Sequence, residues 1–278
     1  MKLASFSQAD RNSWGIVEDD RIIDVGAVAG DERRDLRSAL ALGFDQSLVA
    51  SAPTFGLSEV TFLPVIPNPD KIFCVGINYA SHIAETGRPT PSQPVIFMRV
   101  PSSQVGHEEP ILRPKESHQL DFEGELAVVI GKPARRIPVE QALDVVAGYA
   151  CYNDGSIRDW QRHSSQFAPG KNFFHTGGFG PWMVTADEIP DPSTLVLTTR
   201  LNGEVMQHAP ISDLVFGVAE LVAYCSVFTP LLPGDVIVTG TTGGVGLFRE
   251  PPLWMKPGDV VEVEITGIGT LKNPVEDE

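Results

Sequence analysis

Residues 119–130 read QLDFEGELAVVI. Leu120, Phe122, Gly124 and Leu126 alternate with Asp121, Glu123 and Glu125, the period of a half-buried β-strand. Three carboxylates then share one face, with neighbours about 7 Å apart. At an effective dielectric of about 20, each adjacent pair costs roughly 2 kcal/mol. Either that face is open to water or a cation sits on it. The stretch VEVEI at 261–265 shows the same alternation, and a solvated sheet edge explains it. Alternation alone therefore does not make Glu123 and Glu125 ligands.

The next strand adds a third acid. AGYACYNDGSIRDWQ (147–161) sets Ala150, Tyr152 and Asp154 against Cys151 and Asn153, then breaks at Gly155. Between the two strands, PVEQALDVVAGY predicts a helix that starts at Pro138 and stops near Gly148. A connection of that length suits two strands of one sheet, with Asp154 at a strand end facing Glu123 and Glu125. Three carboxylates without histidine or cysteine describe a site for a hard cation: Mg²⁺, Mn²⁺ or Ca²⁺. Water or substrate fills the remaining positions, which is a catalytic arrangement.

The rest of the chain bounds the surroundings. Its 23 prolines and 26 glycines, spread over 278 residues, predict many short strands and few long helices: an α+β fold that is predominantly β. A formal net charge of −15 argues against nucleic acid and against anionic membrane surfaces as partners. No run of 18 apolar residues occurs, and MKLASFSQADRNSW does not read as a signal peptide. Cys74, Cys151 and Cys225 sit in apolar segments, read as buried thiols in a reducing cytoplasm. LASF and SWGIVEDDRIIDVG predict strands with a hairpin tip at Glu18–Asp20, and RRDLRSALALG predicts a short helix ending near Gly43. DLVFGVAELVAYCSVF predicts an amphipathic helix. The proline-rich FLPVIPNPDK reads as a linker, placing a small β-rich N-terminal domain at 1–66 and a larger domain at 67–278.

Five segments stand in a recognisable order: LDFEGELAVVIG, YNDGSIRDWQ, GKNF, TGTTGGVG and PGDVVEVEITGIGTLKNPV. Over residues 65–278 the chain resembles the fumarylacetoacetate hydrolase family, most closely its members that act on acylpyruvates. The resemblance implies a mixed β-roll catalytic domain, a homodimer, and Mg²⁺ or Mn²⁺ (Ca²⁺ in vitro) on Glu123, Glu125 and Asp154. Asp121 matches a position that is not usually a ligand and is read as structural.

Other residues are weighed beside it. In VGINYASHIAETG (75–87), His82 and Glu85 are three apart, so on a short helix they share a face. They make either a surface pair or a general base oriented by a carboxylate. The resemblance implies the latter, on a mobile lid. Lys171 is either a snorkelling surface lysine or, by the resemblance, the lysine that polarises a substrate carbonyl. Asn172 and Phe174 replace the family's usual Ser and Asp beside it. The resemblance further implies Arg158 as a countercharge to the carboxylates, and Arg99, Ser102, Gln161 and Thr241 as substrate contacts. TGTTGGVG lacks the Lys-Ser/Thr ending of a phosphate loop.

The resulting expectation is a metal-dependent hydrolase of a carbon–carbon bond in a β-diketo acid, an acylpyruvate such as maleylpyruvate or fumarylpyruvate, as in aromatic-compound catabolism. The same chemistry serves oxaloacetate decarboxylation and the isomerisation or tautomerisation of 2-hydroxy-dienoates. The alternative of another class is a binding protein whose cation merely pins the sheet.

Overall fold

The computed structural model describes residues 1–43 and 45–278. It begins with β1 (Lys2–Gln8), β2 (Arg11–Glu18) and β3 (Arg21–Ile23), joined by tight turns at Ala9–Asp10 and Asp19–Asp20. Helix α1 (Leu36–Leu42) starts where the Asp35 carboxylate accepts the Ser38 N–H at 2.8 Å, and it stops at Gly43. Strands β4 (Thr54–Gly56), β5 (Thr61–Phe62) and β6 (Ile72–Gly76) lead to helix α2 (Ala80–Thr86). After it come β7 (Val95–Arg99), β8 (Gln104–Val105), β9 (Ile111–Arg113), β10 (Leu120–Asp121), β11 (Gly124–Ile130), β12 (Val146–Asn153) and β13 (Ser156–Ile157). Two single-turn helices, α3 (Arg158–Gln161) and α4 (Ala168–Lys171), precede β14 (Gly177–Thr185), β15 (Val196–Leu201) and β16 (Glu204–Pro210). Helix α5 (Val218–Phe228) and strands β17 (Val236–Val238), β18 (Val260–Ile265) and β19 (Gly269–Asp277) complete the chain.

One large mixed sheet runs β4-β3-β2-β1-β14-β12-β11-β17-β6-β7, with β5 and β8 attached off this path. A second sheet, β16-β15-β18-β19-β9, packs on it. Strand β11 lies near the middle of the first and is covered on both faces. Its Leu126, Val128 and Ile130 join a core with Leu197, Val263 and the α5 residue Leu221. Its Ala127 and Val129 join another with Trp14, Leu36 and Tyr152. Double coverage is why the polar alternation ends at Glu125 and a continuous apolar run follows.

The structure departs from the sequence reading in two places. The strand expected over 120–126 is split: β10 pairs with β13 in a sheet of its own, and β11 starts only at Gly124. The expected helix from Pro138 is a 3-10 helix over Val139–Val145, after which the β-branched and aromatic run VVAGYACY enters β12. Within residues 1–66, Ala4, Phe6, Val17, Ile22 and Phe62 form a buried cluster, and the same strands continue the larger sheet. Strand β1 pairs with β14 through Lys2–Val184 and Leu3–Met183, and Val65 and Ile66 of the presumed linker are buried in the shared core.

Candidate metal centre and active-site cavity

Strands β11 and β12 are antiparallel neighbours, with Gly124 opposite Asn153 and Glu125 opposite Tyr152. Glu123 stands one residue before β11 and Asp154 one residue after β12. The backbone fixes both: the Asp154 N–H donates to the Glu123 carbonyl at 2.8 Å, and the Glu123 N–H to Asn153 Oδ1 at 2.9 Å. A Cβ on Gly124 would lie 2.0 Å from Thr199 Oγ1, so only glycine lets β15 approach this closely behind the acids. One oxygen from each of Glu123, Glu125 and Asp154 falls within 4.8 Å of the others, and all three residues are buried.

Like charges at that distance repel by roughly 3.5 kcal/mol per pair at an effective dielectric of about 20, so cations must stand nearby. Three do. Arg158 Nη2 lies 2.6 Å from Glu123 Oε1, and its Nε donates to Asp121 Oδ2 at 2.8 Å. The Lys171 ammonium contacts Glu123 Oε2 and lies 2.6 Å from Asp154 Oδ2, with the Phe97 ring 5.1 Å away. Arg99 Nη1 donates to Asp154 Oδ1 at 2.7 Å. Burial alone would raise the Glu123 carboxyl, but Arg158 and then Lys171 outweigh it and bring it down to about 2.

Glu125 has no basic partner among the described residues. One of its oxygens accepts the Gly240 N–H at 2.5 Å. Burial first, then the charges of Asp154 and Glu123, push its carboxyl well above the usual range. Gly240 supplies that N–H from a backbone at φ 107°, where a Cβ would also stand 2.8 Å from that of Asn78. An all-carboxylate donor set with one uncompensated member fits a hard dication. Lys171 occupies the Glu123–Asp154 edge and makes no bond to Glu125 among the described residues.

The three carboxylates line a cavity of about 670 Å³, together with Lys171, Gln161, Thr241 and His82. His82 Nδ1 lies 3.3 Å from Glu85 Oε2, and the ring meets Phe248 edge-on at 6.0 Å. The other Glu85 oxygen accepts the Gly244 N–H at 2.6 Å. Ser81 Oγ lies 3.0 Å from Thr242 Oγ1 and accepts the Gly243 N–H at 3.1 Å. Helix α2 is thus latched onto the glycine-rich turn, with its imidazole turned to the cavity. Gln161 Oε1 accepts from Arg158 Nη1 at 2.9 Å. Thr241 Oγ1 donates to the Gly124 carbonyl at 3.0 Å.

Two residues expected at the substrate are elsewhere. Arg99 is 2 % exposed and does not line the cavity. Its five N–H groups go to Asp154 Oδ1, the Gly155 carbonyl, the Ser103 hydroxyl and carbonyl, and Thr176 Oγ1, leaving none for a ligand. Ser102 is exposed outside the cavity, and its neighbour Ser103 holds Arg99 instead. Asp121 does not join the triad. Its carboxylate accepts the N–H groups of Phe122, Gly246 and Leu247 at 2.8–2.9 Å and fixes the turn that carries Leu247 and Phe248 into the cavity.

Sequence reasoning missed Gln207. Its buried amide accepts the Gly124 N–H at 2.9 Å and donates to Thr241 Oγ1 at 2.7 Å and the Thr242 carbonyl at 2.9 Å. No motif marks it; a glutamine on the inward face of β16 is the only signal.

Comparison with known proteins shows what the whole chain is similar to. Residues 71–276 match the family described as fumarylacetoacetate (FAA) hydrolase C-terminal. The chain is 44 % identical over 232 residues to the mitochondrial oxaloacetate tautomerase FAHD2A of Bos taurus, covering 83 % of this chain and 74 % of that protein. It is 39 % identical over 287 residues to the mitochondrial oxaloacetate tautomerase fahd2 of Xenopus laevis, covering 99 % and 90 %. Among solved structures, a fumarylacetoacetate hydrolase from Exiguobacterium antarcticum superposes with a TM-score of 0.89 at 36 % identity, over all of both chains. The maleylpyruvate hydrolase of Sphingobium sp. SYK-6, in complex with manganese(II) and pyruvate, superposes with a TM-score of 0.83 at 27 % identity, covering 100 % of this chain and 99 % of that one.

Proposed function

The chain belongs to the fumarylacetoacetate hydrolase family, and from that premise we propose that it is a metal-dependent keto–enol tautomerase of a 2-oxo acid, oxaloacetate or a close analogue. The observation that carries this reading is the convergence of Glu123, Glu125 and Asp154 within 4.8 Å on a cavity that His82 also lines. Mg²⁺ or Mn²⁺ on those carboxylates would supply stabilisation of the negative charge that develops on the substrate oxygen.

The chain's own groups do the rest. Glu85 accepts from Nδ1 of His82, which leaves Nε2 as the basic nitrogen. His82 removes a proton from C3 of the keto acid, and a proton is returned to the 2-oxo oxygen. No water is consumed and no carbon–carbon bond breaks. Lys171 is a poor base: burial opposes its charge, but Asp154 and Glu123 outweigh burial and keep it protonated. It holds two of the carboxylates in place, while Gln161 and Thr241 present polar groups to the substrate.

Carbon–carbon hydrolysis, first in the sequence reading, uses the same residues and is supported by the maleylpyruvate hydrolase at 27 % identity. The tautomerases at 44 % and 39 % identity put it second. A cation that only pins the sheet leaves the His82–Glu85 pair without a purpose. A homodimer is part of the same proposal: exposed Met98 and Val100, on and beside the edge strand β7, offer apolar surface for it.

The test follows the ultraviolet absorbance of enol-oxaloacetate with purified protein, Mn²⁺ or Mg²⁺ and a chelator control. Metal-dependent acceleration is expected, falling about 10²- to 10⁴-fold in His82→Ala. Cleavage of acylpyruvates without acceleration of enol decay would replace this reading by the hydrolase.

A further inference from the structure

The buried charges of the site nearly balance. Asp121, Glu123, Glu125 and Asp154 face Arg99, Arg158 and Lys171, four negative charges against three positive. A dication turns the balance to plus one, and a single substrate carboxylate closes it. A second substrate carboxylate would find no countercharge there.

The cavity does carry cations for it. Arg88 and Arg162 line it and are exposed at its mouth, and neither makes an ion pair among the described residues. Arg162 donates only to neutral oxygens, Nε to the Arg158 carbonyl at 3.2 Å and Nη2 to Gln119 Oε1 at 3.4 Å. Arg88 follows Gly87, whose left-handed backbone (φ 65°) ends the lid helix. Arg162 follows Gln161 at the end of α3, which also carries Arg158. One guanidinium thus belongs to the lid and the other to the body.

We propose that Arg88 and Arg162 form a second anion site that takes the distal carboxylate of a 2-oxo dicarboxylic acid and selects it over monocarboxylic 2-oxo acids. This rests on the reading of the cavity as a 2-oxo acid site. A carboxylate gripped from both sides also ties α2 to the body, so a dicarboxylate closes the lid where a monocarboxylate does not. Guanidinium–carboxylate hydrogen bonds are charge-assisted, and losing one corresponds to about tenfold to a hundredfold in affinity.

The test uses full-length Mn²⁺-loaded protein and two matched ligand pairs that differ only in the distal carboxylate. Malate and 2-hydroxybutyrate report binding by calorimetry; oxaloacetate and 2-oxobutyrate report exchange of the C3 protons with solvent deuterium. Wild type is expected to favour the dicarboxylate of each pair. Arg88→Ala and Arg162→Ala each lower that preference about tenfold, chiefly through Kd and KM, and Arg88→Lys restores part of it. A preference unchanged in the double variant, or absent from wild type, overturns the proposal. Wild type that prefers malate yet exchanges neither keto acid upholds the anion site and sinks the tautomerase reading instead.

Discussion

Glu125 is the carboxylate that the protein leaves for something else to neutralise. Glu123 has Arg158 and Lys171, and Asp154 has Arg99 and Lys171, whereas Glu125 has one backbone N–H. An acid whose carboxyl is raised in the folded state contributes stability below its unfolded value of 4.5 and loses it as pH rises through the folded value. Glu123 runs the other way, contributing above 4.5 and losing that contribution as pH falls toward about 2. At neutral pH the metal-free protein therefore carries a cost at Glu125 that Glu125→Gln removes, because the amide oxygen still serves the Gly240 N–H. The expected gain is on the order of 1–3 kcal/mol, and each 1 kcal/mol shifts Tm by roughly 2 °C in a chain this long. Scanning calorimetry in chelator should show the variant melting above wild type at pH 7, with the difference gone by pH 4. Added Mn²⁺ should raise the Tm of wild type alone. A variant that melts lower without metal would refute the account. The ligand spacing of Glu123 and Glu125 is legible in sequence because β-strand alternation is local. Which cation serves which acid is not, since it depends on segments far apart in the chain. Arg99 shows the difference: its guanidinium reaches Asp154 because residue 177 is glycine, where a Cβ would stand 2.7 Å from Nη2.

Helix α2 has seven residues, too few to be stable alone, so its position depends on what holds it. At its root, Asn78 Nδ2 donates to the Thr239 and Phe216 carbonyls at 2.8 and 3.0 Å, and its Oδ1 accepts the Phe216 N–H at 2.8 Å. At its face, Ser81 and Glu85 hold the turn at 242–244. Gly243 lies between them: a Cβ there would meet Ser81 Cβ at 3.2 Å and the Glu85 carboxylate at 3.3 Å. Gly243→Val should push α2 off the turn without touching a proposed ligand. Hydrogen exchange over 80–86 should quicken while Mn²⁺ affinity stays within about twofold. Turnover should fall about tenfold to a hundredfold from the displaced imidazole. Unchanged exchange over 80–86 would show that the latch does not hold the helix. The His82–Glu85 spacing announces a helix face in the sequence, but the latch does not, because the turn it grips lies some 160 residues away. The same limit broke the strand expected over 120–126. Asp121 turns from the triad to cap the N–H groups of Gly246 and Leu247, a demand invisible in its own neighbourhood.

At the scale of the molecule, composition and turn chemistry pointed to a β-rich fold, and the proline-rich stretch at 62–71 suggested a division at residue 66. Prolines mark an extended path; they do not say whether that path is solvated, and Val65 and Ile66 are buried. Trp14 of β2 is fully buried, its Nε1 donates to the Arg33 carbonyl at 2.8 Å, and it shares a core with Ala127 and Val129 of β11. Those two residues follow directly on the strand start that carries Glu125. Damage to the first 66 residues should therefore reach the metal centre. Trp14→Ala should cost about 3–5 kcal/mol, and far-ultraviolet dichroism and bound Mn²⁺ should report its melting at one shared, lowered midpoint. Separate domains would behave otherwise: a first transition would remove the N-terminal strands while Mn²⁺ stayed bound to a second, unshifted one. Two such transitions would support a boundary at residue 66. One transition means that the N-terminal strands are the outer half of the sheet whose centre holds the carboxylates.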